Sequence, residues 1–307
     1  MWISRIKSCI NEQHGNALVL MSLALSALLC ITGLVMDGGT IYYTRAHLQK
    51  VANASALSGA QELMNSTQAA EDVAKEVLFR HEETSSLKSI TFNEPSIFEV
   101  NLEKDVSLNF AKLFGRDTVP VNATARAQYG NAGVVKGVAP IGIDERFTFQ
   151  YMQEYELKTD TDGVDTGWFG VLALGGPGAA TYYDNMRYGY SSAIRVGDVI
   201  ETETGNIAGK TRTAVKERID NCSYSFEEGV KRNCSRVILV PVYEPYEYDN
   251  QGQIKQVEIK GFAYFYITGL ISSNDTAIRG LFLKRVVQGE ILETAVDRGV
   301  YALRLVE

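Results

Sequence analysis

The spacing of apolar positions changes period twice along the chain, and each change marks a different kind of element. Residues 16–36 read NALVLMSLALSALLCITGLVM, an apolar run without a single charge. Wound as a helix it is about 31 Å long, close to the hydrocarbon thickness of a bilayer. After Asp37 the apolar and small positions thin to a stripe, Ile41, Leu48, Ala52, Ala56, Gly59 and Leu63, mostly four apart. That spacing continues the helix. Gly38 and Gly39 allow a kink at the exit, but no proline interrupts residues 16–65, so a near-continuous helix of about 75 Å is expected. A second helical pattern covers 66–79 through Ala69, Ala70, Val73, Val77 and Leu78, with Ser66 or Thr67 placed to cap it.

Further on the period becomes two. Strands are expected at 97–108 and at 118–129, where Val119, Val121, Ala123, Ala125 and Ala127 alternate, with the short helical turn FAKLFG between them. NAGVVKG, residues 131–137, reads as a linker. Beyond it Phe147, Phe149 and Tyr151 alternate, and strands are expected at 168–174, 194–201, 236–243, 257–267, 280–287 and 300–306, with one helix at 210–219. The fold class is therefore α+β: a transmembrane helix extended into a long helix, a small helix-and-sheet domain, and a β-rich sandwich or barrel with one helical insertion. The expected divisions are 1–15 for a cytoplasmic tail, 16–37 for the transmembrane helix, 38–130 for the extension and small domain, and 131–307 for the β-rich domain.

Composition narrows the chemistry. A net charge of −7, spread along the chain without a basic patch, argues against nucleic acid as a partner, because that partner needs a surface able to displace counterions. All three histidines, His14, His47 and His81, precede residue 82. Histidine-based triads and most zinc sites are thereby removed from the rest of the chain. No catalytic residue or cofactor is assigned, and the chain reads as a non-enzyme. DTDGVD brings Asp160, Asp162 and Asp165 beside a glycine turn, a weak calcium candidate that lacks the full loop and its closing glutamate. A solvated hairpin turn accounts for it better. LGGPGAA, residues 174–180, follows a strand but has neither the Lys-Ser/Thr nor the spacing of a phosphate loop. RVGDVIE, at 195–201, is similar to a strand-turn phrase of signal-peptidase and Hint-type folds, without a nucleophile and base to accompany it. The tyrosines at 182, 183, 188 and 190, and at 243, 246 and 248, read as sheet faces; exposed, they would suit a surface glycan or protein.

Topology rests on weak signals. Arg5 and Lys7 before the apolar run are balanced by Arg45 and Lys50 after it, so the positive-inside count ties. The free amine favours a cytoplasmic N-terminus. Cys222 and Cys234 favour it further, because a disulfide between them needs an oxidising compartment and could contribute about 3 kcal/mol. Unpaired thiols are the alternative. Cys9 would then lie in the tail and Cys30 in the bilayer. A retained anchor is favoured over a cleaved signal, since the run is long for a signal core and no small-x-small site ends it.

Gly15, the apolar helix, Asp37-Gly38, Tyr42 or Tyr43, Arg45 and then LQKVANASALSGAQEL together resemble the N-terminal module of the TadE/TadG-like family of tight-adherence (Flp, type IVb) pilus assembly. Leu48, Gln49, Asn53, Ala54, Ala56, Leu57, Gly59, Ala60, Glu62 and Leu63 follow the family's pattern in register. Prepilins of that system carry a glutamate five positions after the cleaved glycine, whereas Leu20 stands there in this chain, which fits retention better than processing. The resemblance implies a membrane-anchored, pseudopilin-like accessory protein of the bacterial cell envelope, serving adhesion through a tight-adherence pilus assembly or secretion system. Its partners would be the lipid bilayer and other pilus subunits, met through the N-terminal helix. The stripe Leu48, Ala52, Ala56, Gly59 and Leu63 is the expected helix-packing interface, against either another subunit or the chain's own domain. An anchored module that binds a surface glycan or protein is the competing expectation.

Overall fold

The computed structural model describes residues 13–93, 96–157, 169–203, 207–222, 224, 226, 233–270 and 277–306. One helix, α1 (Gln13–Glu62), runs unbroken for 50 residues, about 75 Å. Gly38 and Gly39 leave it straight enough to remain one element. The chain then doubles back as α2 (Thr67–Arg80), whose first turn is capped by the Ser66 side chain accepting from the Ala69 amide at 3.0 Å.

Two sheets follow. The first joins β1 (Leu87–Asn93), β2 (Ile97–Ser107), β3 (Thr118–Val135), β14 (Val300–Val306) and β12 (Arg285–Val286) in that order, with β7 (Ile194–Arg195) and β13 (Gly289–Ile291) added at the far end of β3. The second runs β5 (Glu154–Leu157), β11 (Ile278–Leu283), β10 (Ile254–Leu270), β9 (Val237–Tyr248), β4 (Ile141–Asp144) and β6 (Phe169–Val171), and β8 (Val199–Glu201) pairs with β10. The α+β class expected from the apolar periods is the architecture observed.

The first sheet shows why alternation matters. Phe98, Val100 and Leu102 of β2 and Val121, Ala123, Ala125 and Ala127 of β3 all turn inward, where they share a core with Leu48, Ala52, Ala56 and Ala60 of α1 and Ala70, Ala74 and Leu78 of α2. The facing residues on α1 and β3 are mostly alanine, so backbone approaches backbone closely. The outer face is polar, and Glu99 sits directly opposite Arg126 in register, forming an ion pair.

Three local expectations differ from the structure. NAGVVKG is not a linker at its start, because β3 continues through Asn131 to Val135 and β14 returns from the chain's end to pair with residues 126–131. Alternation fades there because this end of β3 is buried between the two sheets, where Ala132 and Val135 meet Leu239, Tyr243, Phe262 and Val300. The second half carries two helices rather than one, α3 (Ala179–Tyr188) besides α4 (Ala208–Asp220). Tyr182, Tyr183 and Tyr188 therefore lie on a helix, while Tyr243, Tyr246 and Tyr248 do lie on a strand. Finally Phe147, Phe149 and Tyr151 alternate without forming a strand. The rings of Phe147 and Phe149 pack on Phe282 instead, Phe149 stacked on it at 3.8 Å between centroids, and Tyr151 meets Phe149 edge-on.

At Gly59, α1 closely approaches both its own sheet and α2. A Cβ there would overlap the Phe98 ring and lie 2.9 Å from the Ala70 carbonyl oxygen. Gly59→Val should destabilise the domain by about 1–3 kcal/mol through overpacking, read as a lowered midpoint in denaturant unfolding of the detergent-solubilised chain; an unchanged midpoint would contradict this account of the contact.

Candidate functional site

The surface that asks for a partner is the first half of α1. Leu18, Leu20, Leu23, Leu25, Leu28, Leu29, Ile31 and Leu34 all stand outside the fold, each more than half exposed. The helix is long and apolar enough to cross a bilayer. Its few hydroxyls are satisfied within the helix: Ser22 donates to the Val19 carbonyl at 2.9 Å, Ser26 to Ser22 at 2.8 Å and Thr32 to Leu28 at 2.8 Å. A helix that closes its own polar accounts in this way can lie in hydrocarbon without unsatisfied donors. Cys30, on the same stretch, is a free thiol.

The apolar cylinder ends at Asp37, a carboxylate almost fully buried. One oxygen accepts from the Asn109 amide at 2.9 Å, and the other accepts from Phe110 at 3.0 Å and Ala111 at 2.8 Å. Those amides open the 3₁₀ turn Ala111–Phe114 in the β2–β3 connection. Asp37 thus ties the loop to the helix by three charge-assisted bonds. One turn earlier, Gly33 leaves room for the Phe110 ring, which any side chain at 33 would strike.

Beyond Asp37 the helix changes partner from the surroundings to its own domain. Leu48, Ala52 and Ala56 are completely buried. Gln49 donates to the Thr124 carbonyl of β3 at 2.8 Å and to Asn53 at 3.0 Å, and Ser55 donates to the Ala74 carbonyl of α2 at 2.8 Å. Of the two partners expected for the stripe Leu48, Ala52, Ala56, Gly59 and Leu63, the chain's own sheet and α2 pack on it. Glu83 adds a polar lock just past the C-terminal end of α2, beside His47. Burial alone would raise its carboxyl pKa, but hydrogen bonds from Lys104 at 2.6 Å and from Ser86, with the charges of Lys104 and His47, outweigh burial and hold it below the ordinary glutamate range.

Residues 15–62 match a protein-family model described as putative Flp pilus-assembly TadE/G-like. The matched segment is α1 almost in its entirety. Within this Tad-like segment the pattern residues divide by role: Asp37 holds the loop, Gln49 and Asn53 bond to or toward the sheet, and Leu48, Ala56, Gly59 and Ala60 fill the helix–sheet contact. No curated protein and no solved structure matches the chain.

The remaining candidates sort quickly. Cys222 and Cys234 form a disulfide, with Cα atoms 5.4 Å apart, packed on Tyr266 and Leu283. Asp160, Asp162 and Asp165 lie outside the described residues, as do Cys9, Arg5 and Lys7. Among the described residues no group of three His, Cys, Asp or Glu side chains is placed to hold a metal. LGGPGAA forms a turn in which the Gly178 amide donates to Glu203 at 2.7 Å, so that donor already has an anionic partner inside the chain. In RVGDVIE, Asp198 accepts from the Arg195 amide at 2.7 Å and shapes the turn. Arg218 had no signal in the sequence: it is buried, donating to the Met186 and Ser235 carbonyls, and burial lowers its pKa to about 10, still charged at neutral pH. It joins α4 to α3 and to the disulfide segment.

Asp37→Ala should leave three loop amides without their acceptor, at a cost of about 1–3 kcal/mol. The amides of Asn109, Phe110 and Ala111 should then exchange with solvent deuterium about tenfold faster or more; protection equal to that of the unaltered chain would sink this assignment.

Proposed function

We propose that this chain is a non-enzymatic, membrane-anchored accessory protein, pseudopilin-like, of a tight-adherence (Flp, type IVb) pilus assembly or secretion system. The observation that carries the reading is the coincidence of the Tad-like match at 15–62 with one helix whose first half is an unpartnered apolar cylinder and whose second half is built into a folded domain. Such a helix suits a protein that must stand in a membrane and hold a rigid body just outside it. Because the stripe from Leu48 to Leu63 is already occupied, other pilus subunits would be met in the bilayer, through the exposed apolar face of α1. There, close contact depends on shape rather than on hydrophobicity, since lipid tails are equally apolar. The chain is single-pass in this reading, with the N-terminus in the cytoplasm and everything after Asp37 outside it. The Cys222–Cys234 disulfide supports that orientation, because such bonds persist in oxidising compartments.

Deleting the gene in its host should abolish or sharply reduce Flp-type pili on electron micrographs, and re-expression should restore them; normal piliation in the deletion strain would count decisively against the proposal. Orientation has its own test. Thiol labelling of intact cells followed by non-reducing peptide mapping should find Cys222 joined to Cys234, with a tag placed after Glu307 digested by added protease. Free thiols at both positions with a shielded tag would reverse the topology.

A further inference from the structure

The loop that Asp37 holds carries two large apolar side chains that nothing in the fold covers. Leu113 is 78% exposed and Phe114 is 80% exposed, on the tip of a tight 3₁₀ turn closed by Gly115 in the left-handed region at φ 83°. The turn is rigid: Leu108 donates its amide to the Asp117 carbonyl at 2.9 Å across the neck, Leu113 donates to Phe110 at 3.0 Å and Arg116 to Ala111 at 3.1 Å. A contiguous apolar pair held outward by such a frame marks a place where an apolar environment would be favoured over water.

Its position says which environment. The ring of Phe110 lies against Gly33, four residues and so about 6 Å of helix below Asp37, inside the uncharged apolar run. The turn therefore overlaps in height with the end of the span rather than with the water above it. Lys112 and Arg116 flank the apolar tip, and Tyr42 and Tyr43 stand exposed on α1 just beyond Asp37. Aromatic rings at the headgroup level and basic side chains beside an inserted apolar tip are the residue types that an interfacial zone holds best. The turn is held against the end of the apolar run of α1 by the Phe110–Gly33 contact and the Asp37 bonds, which commits the occupant to the same bilayer.

We infer that the 3₁₀ turn Ala111–Phe114 is a second membrane anchor, with Leu113 and Phe114 seated in the outer headgroup–acyl boundary beside the point where α1 leaves the bilayer. The inference rests on the membrane-spanning reading of α1. With α1 alone the outer domain could tilt and spin about the helix; a second contact fixes which face of the domain looks at the membrane.

The test uses the full chain in lipid vesicles, with its disulfide intact and an environment-sensitive fluorophore on a single thiol. One variant, Cys9→Ser with Cys30→Ser and Phe114→Cys, reports on the turn; the other, Cys9→Ser alone, reports on Cys30 within the span. The probe at 114 should emit blue-shifted from its emission in water, and lipids brominated high on the acyl chains should quench it more than lipids brominated near the chain ends do. The probe at Cys30 should be quenched most by the deeper bromines. A probe at 114 that emits as in water while the probe at Cys30 is quenched would overturn the second anchor and leave the span standing. No quenching at either position would overturn the span, and the anchor with it. Placing the thiol at Leu113→Cys repeats the measurement at a side chain equally free of the core, and unquenched emission there would count against the inference in the same way.

Discussion

A 50-residue helix whose first half stands clear of the fold depends for its position on the contacts that its second half makes. From Asp37 onward the holding contact is the seating of α1 on its own sheet, small residue against small residue: Ala52, Ala56 and Gly59 share a core with Ala123, Ala125 and Ala127. Short side chains let the backbone of α1 approach the sheet and α2, which brings Gln49 within reach of the Thr124 carbonyl of β3 and Ser55 within reach of the Ala74 carbonyl of α2. Larger residues at these positions would lift the helix off and break those bonds together.

The rest of the structure is arranged around that seat. Strand β3 takes the helix on one half of its length and enters the core between the two sheets on the other, so a single strand couples the helical layer to the β-rich half. Strand β14 repeats the connection from the opposite end of the chain, with Val300 and Ala302 in the inter-sheet core and Leu303 against the helix–sheet core. A displacement of α1 would therefore be felt as strain across both sheets. Arg218 and the disulfide stiffen the far side, where α3 and α4 cover the second sheet.

Asp37 stands where the helix changes environment. A buried carboxylate is costly unless it is hydrogen-bonded, and three amides converge on this one. The same bonds place the β2–β3 turn beside the end of the apolar run. The end of the apolar run and the placement of the β2–β3 turn are thus joined in one small cluster of Gly33, Asp37 and Phe110. The Tad-like match, 15–62, ends with the helix and includes both Gly33 and Asp37, but Phe110 lies far outside it.

Much of this was readable along the chain, and the reason is physical. The apolar run, the four-residue stripe, the Ser66 cap, the FAKLFG turn and the alternation of β3 are all local patterns, since a period of 3.6 or 2 is imposed by backbone geometry before any tertiary contact exists. The resemblance at 15–62 could be read for the same reason, because its residues lie on one helix. The sequence by itself therefore determined the long helix, the α+β class and the cysteine pair as a candidate. Only the tertiary structure decided what each face meets. The stripe at 48–63 meets the chain's own sheet, residues 131–135 are buried strand rather than linker, and Asp37 meets amides more than seventy positions away. Contacts at that separation depend on how sheets close in space, and no period along the chain carries that information.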